Sequence, residues 1–265
     1  MPAAGLGKLL SNLNHREIYF SIGELEMSMS SRERALTVLS HKCPDRMPCD
    51  YTAMPLIIII TLLAVMSLAA EGSALKPESE DWPTEVKKVR YPVSIDQSLQ
   101  PMLMYTAKSK EKRPLLVGLH TWSKGYTQAG GEVVYARWCM ERDWHFIHPH
   151  FRGPNWTPQA CGSEMVVQDI IDAVAYMKKN YAVDTNRIYL VGASGGGYAS
   201  LLMAGRSPEI WAGVSAWVPI SDIRAWWEQK KPGKYAKHIE KAVGGAPDLN
   251  DKAARQCVNR SAVTY

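Results

Sequence analysis

The sequence predicts an α/β fold, a mostly parallel sheet with helices on both faces, and three observations carry that expectation. From Thr84 onward, segments of strand-like and helix-like periodicity alternate, as a sheet with crossover helices requires. Two runs, Pro114 to His120 (PLLVGLH) and Arg187 to Ala193 (RIYLVGA), are almost continuously apolar, the mark of strands buried on both faces. The second of them runs straight into Ser194, Gly195 and Gly196 and a small-residue helix start.

Taken in order, Val86 to Val93 and Met102 to Thr106 are expected as antiparallel strands, and Pro114 to His120 as the third strand. Gly131 to Arg142 follows as a helix and His145 to His148 as a short strand. Ser163 to Tyr181 places Val166, Ile170, Val174 and Met177 on one helical face, with Ser163 as its cap. Asp184, Thr185 and Asn186 read as a turn before the Arg187 strand. A helix then begins at Gly196 and runs to Gly205, and Ala212 to Val218 is the next strand. The predicted order is β-β-β-α-β-α-β-α-β.

Upstream, Leu56 to Ala70 is the longest uncharged apolar run. It is shorter than the ~20 residues that span a bilayer comfortably, and it has the length of the apolar part of a secretory signal, followed by small residues suited to cleavage. The expected organisation is an N-terminal extension over 1–53, either a chimeric or misassigned start or a genuine cytoplasmic extension, an apolar leader over 54–74 that is a signal peptide or a signal anchor, and a partial catalytic domain over 75–265. A buried strand or helix is the alternative for the run. Lys42 and Arg46 before it and Glu71, Glu78, Glu80 and Asp81 after it place the later domain outside the cytoplasm under the positive-inside rule. The expected location is therefore secreted or cell-envelope, with membrane contact only through the leader. Within the extension, Ser31 to Tyr51 (SRERALTVLSHKCPDRMPCDY) resembles the start of uroporphyrinogen-decarboxylase-family proteins. It carries no chemistry.

A net charge of +5, from 31 basic and 26 acidic residues without basic blocks, gives no nucleic-acid footprint. The five cysteines show no C-x-x-C or Cys/His ligand spacing, so no metal or other cofactor is expected. Cys139 and Cys161 could pair in an oxidising compartment or remain buried thiols. His148 and His150 share a strand face but lack an evident third ligand.

Gly192-Ala193-Ser194-Gly195-Gly196 is G-x-S-x-G. The bare pattern arises by chance in on the order of one in ten chains this long, so its setting between a buried strand and a helix start is what points to a nucleophile elbow. There Ser194 is the candidate nucleophile, and Gly192 and Gly196 are small enough for strand and helix to approach closely. The helix start gathers N–H groups near a developing oxyanion, with Gly195 N–H the first donor. Thr121 and Trp122, in the loop after the third strand, are the candidates for the second. A phosphate-binding turn is the alternative reading of the same glycines.

Four segments resemble the catalytic domain of the prolyl-oligopeptidase (S9) family and its esterase-like relatives over Arg113 to Trp227: LVGLHTW (Leu116 to Trp122), FRGPNW (Phe151 to Trp156), Val166 to Ser200, and VSAWVPISD (Val214 to Asp222). The resemblance implies an α/β-hydrolase fold and a serine hydrolase acting on a peptide or acyl-ester substrate through an acyl-enzyme. It also implies that the family's acid and histidine align beyond Tyr265, leaving the last strands and the triad incomplete. Within the chain, Asp222 and His238 follow Ser194 in the family's order of acid and base, with His238 expected on a solvated, lysine-rich helix. The stretch between leader and third strand is too short for a substrate-filtering propeller, which moves weight toward an esterase on acylated polysaccharide. Trp122, Trp156, Trp217, Trp226 and Trp227 could stack on sugars or fill a core. An inactive fragment or non-catalytic binding module is the non-enzymatic alternative.

Overall fold

The computed structural model describes residues 81–265. The N-terminal extension and the apolar leader lie outside the described residues. Among the described residues, no helix is long and apolar enough to cross a membrane.

Six strands form one sheet in the order β1-β2-β4-β3-β5-β6. They are β1 (Lys87–Pro92), β2 (Leu99–Tyr105), β3 (Arg113–Leu119), β4 (His145–Pro149), β5 (Val183–Ala193) and β6 (Gly213–Trp217). β1, β2 and β4 pair antiparallel, whereas β4-β3, β3-β5 and β5-β6 are parallel. The interposed helices are α1 (Gly131–Glu141), α2 (Glu164–Asn180) and α3 (Gly195–Arg206), so the predicted order holds. Three further helices follow β6: α4 (Ile223–Lys230), α5 (Lys234–Val243) and α6 (Asp251–Asn259).

Strand alternation sorts the core onto two faces. Leu115, Val117 and Leu119 of β3 and Ile147 of β4 pack with Val166, Ile170 and Met177 of α2 and Leu202 of α3. Leu116 of β3 and Phe146 of β4 point the other way, onto Ala136 and Cys139 of α1. A third cluster joins Trp122 and Tyr198 to α4, α5 and α6 through Ile223, Trp227, Ile239 and Cys257. β6 is the outer strand of the sheet, and its residues alternate between half-buried and exposed.

Ser163 caps α2 as expected, accepting from Val166 N. The turn expected at Asp184 to Asn186 is instead part of β5. The Asp184 carboxylate accepts from Asn186 N at 3.0 Å and pairs with Arg187 at 2.7 Å. This local side-chain bonding, which favours turns in isolation, is accommodated as an irregularity in the β3-β5 register between Arg113 and Leu115. Cys139 and Cys161 are buried free thiols and do not pair. Burial pushes both thiols up to about 12, so neither carries thiolate at neutral pH.

Candidate active site

Strand β5 ends at Ala193 and helix α3 begins at Gly195, leaving Ser194 alone in the bend. Its backbone stands at φ 55° and ψ −115°, outside the favourable wells for a residue with a Cβ, and its side chain is exposed. Two bonds hold it there. Ser194 N donates to Trp217 O at 2.9 Å, and Ser194 O accepts from Tyr198 N at 2.8 Å.

The flanking glycines are required by close approach. A Cβ on Gly192 would lie 2.4 Å from the carbonyl carbon and oxygen of Gly196. One on Gly196 would lie 2.2 Å from Leu119 O. Strand end and helix start therefore meet backbone to backbone, as the G-x-S-x-G spacing leads one to expect.

Beside Ser194 runs the loop after β3. A Cβ on Gly195 would lie 2.2 Å from Trp122 N, so the Trp122 amide sits against the residue that follows Ser194. Gly195 is the first residue of α3, where an N–H has no intrahelical acceptor. Trp122 N–H has no hydrogen-bond acceptor among the described residues. Gly195 and Trp122 thus offer two free amides next to the exposed hydroxyl. Thr121, the other sequence candidate, is corrected: its N–H donates to Gln128 Oε1 at 2.9 Å and is already used.

Thr121, Trp122, Ser123, Lys124 and Ser194 form one side of an open cavity of about 790 Å³ whose other side is Val218 to Asp222 and α4. Trp226 and Tyr235 also line it, with ring centroids 5.2 Å apart. Of the five tryptophans singled out in the sequence, Trp122 and Trp227 are buried in the core, Trp156 and Trp226 are half-buried, and Trp217 is exposed.

The replacement triad is also corrected. Asp222 lines the cavity with Ser194, but its carboxylate caps α4, accepting from Ala225 N at 3.0 Å. His238 is not on a solvated face. It is half-buried, its Nδ1 accepts from Trp122 Nε1 at 3.3 Å, and its ring lies 4.8 Å from that of Trp156. Burial first, then the Lys234 and Lys241 charges, holds its imidazole below the ordinary histidine range. No hydrogen bond joins Asp222, His238 and Ser194 among the described residues.

His120, His145 and His148 have ring nitrogens engaged by backbone groups. His120 is buried, stacked on Phe151 at 3.9 Å, with its ring nitrogens at the carbonyls of Thr121 (3.0 Å) and His150 (2.7 Å). Burial pushes it down to about 4. His148 Nδ1 donates to Gly118 O at 2.8 Å, and His145 accepts from Ala107 N at 3.1 Å. Among the described residues, no group of three or more His, Cys, Asp or Glu side chains is placed to hold a metal ion.

Residues that sequence reasoning missed include Gln128, Asn155 and the Trp217 carbonyl. Asn155 N donates to Trp122 O at 2.9 Å, and Asn155 lies in the FRGPNW segment already singled out. Gln128 carried no signal of its own, because its partners are a backbone amide and a residue four positions on.

Residues 138–258 match the sequence profile of the prolyl oligopeptidase family. No curated protein matches the chain by sequence. Among solved structures, a prolyl endopeptidase is similar at 18% identity and a TM-score of 0.55, over 67% of this chain and 26% of that one. Oligopeptidase B from Leishmania major aligns at 16% identity and a TM-score of 0.54, over 68% and 26%. An acylaminoacyl peptidase from Pyrococcus horikoshii aligns at 17% identity and a TM-score of 0.53, over 67% and 29%. At such identities the likeness establishes the fold, which is that of an α/β hydrolase. The chain spans between a quarter and three tenths of the length of these three structures.

Proposed function

We propose that the chain performs acyl transfer to water on a peptide or ester substrate. Ser194 Oγ attacks the carbonyl carbon, the carbonyl oxygen takes the negative charge beside Gly195 N–H and Trp122 N–H, and the leaving amine or alcohol departs with a proton. Water then adds to the acyl-enzyme and releases the acid. The observation that carries this reading is the exposed Ser194 at φ 55° and ψ −115° with free amides at Gly195 and Trp122. Ser194 must lose its proton to a base during attack, and no described histidine is bonded to it. That observation favours a second reading, a binding module that keeps the pocket and lacks turnover.

A fluorophosphonate probe separates the two. Stoichiometric labelling of Ser194, abolished in Ser194→Ala, is the expected result; a chain that folds and stays unlabelled selects the second reading. Within the first, chromogenic acyl esters set against proline-containing peptides decide the bond. The open cavity with its Trp226 and Tyr235 rings supports the ester.

A further inference from the structure

Trp122 N–H can serve an oxyanion only if its loop holds still, and the loop carries Gly125 and Gly130, which leave its backbone free to turn. Something else must fix it. Its other polar groups are taken in turn: Thr121 O accepts from Lys124 N at 3.4 Å, Trp122 O accepts from Asn155 N at 2.9 Å, and Thr121 N donates to Gln128 Oε1 at 2.9 Å. The Gln128 amide is itself held from behind, its Nε2 donating to Glu132 Oε1 at 2.7 Å. Glu132 stands in the first turn of α1 and is buried, 6% exposed, with its second carboxylate oxygen unpartnered.

A buried carboxylate with one orphan oxygen is costly, so its placement calls for a reason, and the hydrogen bond it accepts supplies one. The amide of Gln128 has one acceptor and one donor end. A carboxylate cannot accept from the acceptor end, so Glu132 forces Nε2 toward α1 and Oε1 toward Thr121 N–H. We infer that Gln128, oriented by Glu132, is a positioning residue that locks the loop after β3 so that Trp122 N–H faces the oxyanion beside Ser194. The inference rests on the acyl-transfer reading for its catalytic consequence, while the brace itself is independent of that reading.

The brace predicts a reversal of roles. In Gln128→Glu two carboxylates face each other, the donor end is lost, and the loop loosens. In the double variant Gln128→Glu with Glu132→Gln, the new carboxylate accepts from Thr121 N–H and the new amide donates to it, restoring both bonds. The full chain is assayed on p-nitrophenyl acetate, with backbone amide exchange followed at Thr121 and Trp122. Since losing one oxyanion donor outright costs about 10²–10³ in kcat, displacing it is expected to lower kcat by about tenfold or more in Gln128→Glu, with KM changed less than about threefold. The loss should shrink as pH falls and the facing carboxylates share a proton. The double variant should return kcat to within a few-fold of wild type and restore amide protection. Gln128→Ala, which removes the acceptor without adding charge, is expected to follow the single variant. Equal kcat and equal exchange in wild type and both single variants overturn the inference. If wild type neither hydrolyses the ester nor labels with the probe, the acyl-transfer reading falls, and exchange at Thr121 decides the brace alone: faster in the single variants and restored in the double supports it, unchanged refutes it.

Discussion

Ser194 offers a stability experiment that needs no activity at all. Its φ of 55° falls in the left-handed range while its ψ of −115° lies far from the ψ near +47° of the left-handed well. Backbones held in such sparsely populated regions cost about 1–3 kcal/mol when a Cβ is present. Ser194→Ala removes the hydroxyl and keeps the Cβ, so the strain remains. Ser194→Gly removes both, relieving the strain while adding about 0.5–1 kcal/mol of unfolded-chain entropy. The expected balance is a glycine variant more stable than the alanine variant by about 1 kcal/mol, or a melting temperature higher by about 2–4 °C for a domain of this size. At an unstrained position the same comparison has the opposite sign, which makes the sign itself the readout. Urea and thermal unfolding of the two variants measure it. An alanine variant equal to or more stable than the glycine variant would mean that the bend relaxes in solution, and the elbow would lose its physical basis.

Two further predictions concern the support of that bend. Gly196→Ala drives a Cβ to 2.2 Å from Leu119 O, a backbone atom at the end of β3 that cannot swing aside; a loss of about 3 kcal/mol, at the upper end of overpacking effects, is expected in the urea midpoint, and a change under about 0.5 kcal/mol would show the contact to be soft. His148 gives a pH signature. Burial pushes its imidazole down to about 3, below the ~6.5 of an unfolded chain, so between those values the unfolded state binds the extra proton and stability falls as pH falls. His148→Asn keeps a donor for Gly118 O and cannot titrate. Between pH 7 and pH 5 it should lose about 2 kcal/mol less than wild type, and parallel pH profiles would refute the assignment.

The six-strand order was legible because each strand writes its burial into its own residues: Leu115, Val117 and Leu119 announce one buried face and Leu116 the other. The bend was legible for a related reason. Close backbone approach at Gly192 and Gly196 can be met only by glycine, so geometry leaves a local mark in the sequence. What failed were inferences about side chains whose partners lie elsewhere. Asp222 and His238 stood in a plausible order, yet a carboxylate one residue before a helix is satisfied by that helix, and His238 finds Trp122, far away in the chain. Thr121 and Trp122 were indistinguishable as donors until Gln128 was seen to occupy one of them.

By itself, then, the order of residues determined the layered architecture and the exposed hydroxyl in its cramped bend, since both follow from periodicity and from the steric demands of single positions. Only the tertiary structure decided which amide beside that hydroxyl is free. A hydrogen bond is a contest among all donors and acceptors within reach, and who is within reach depends on how loop, strand and helix are brought together.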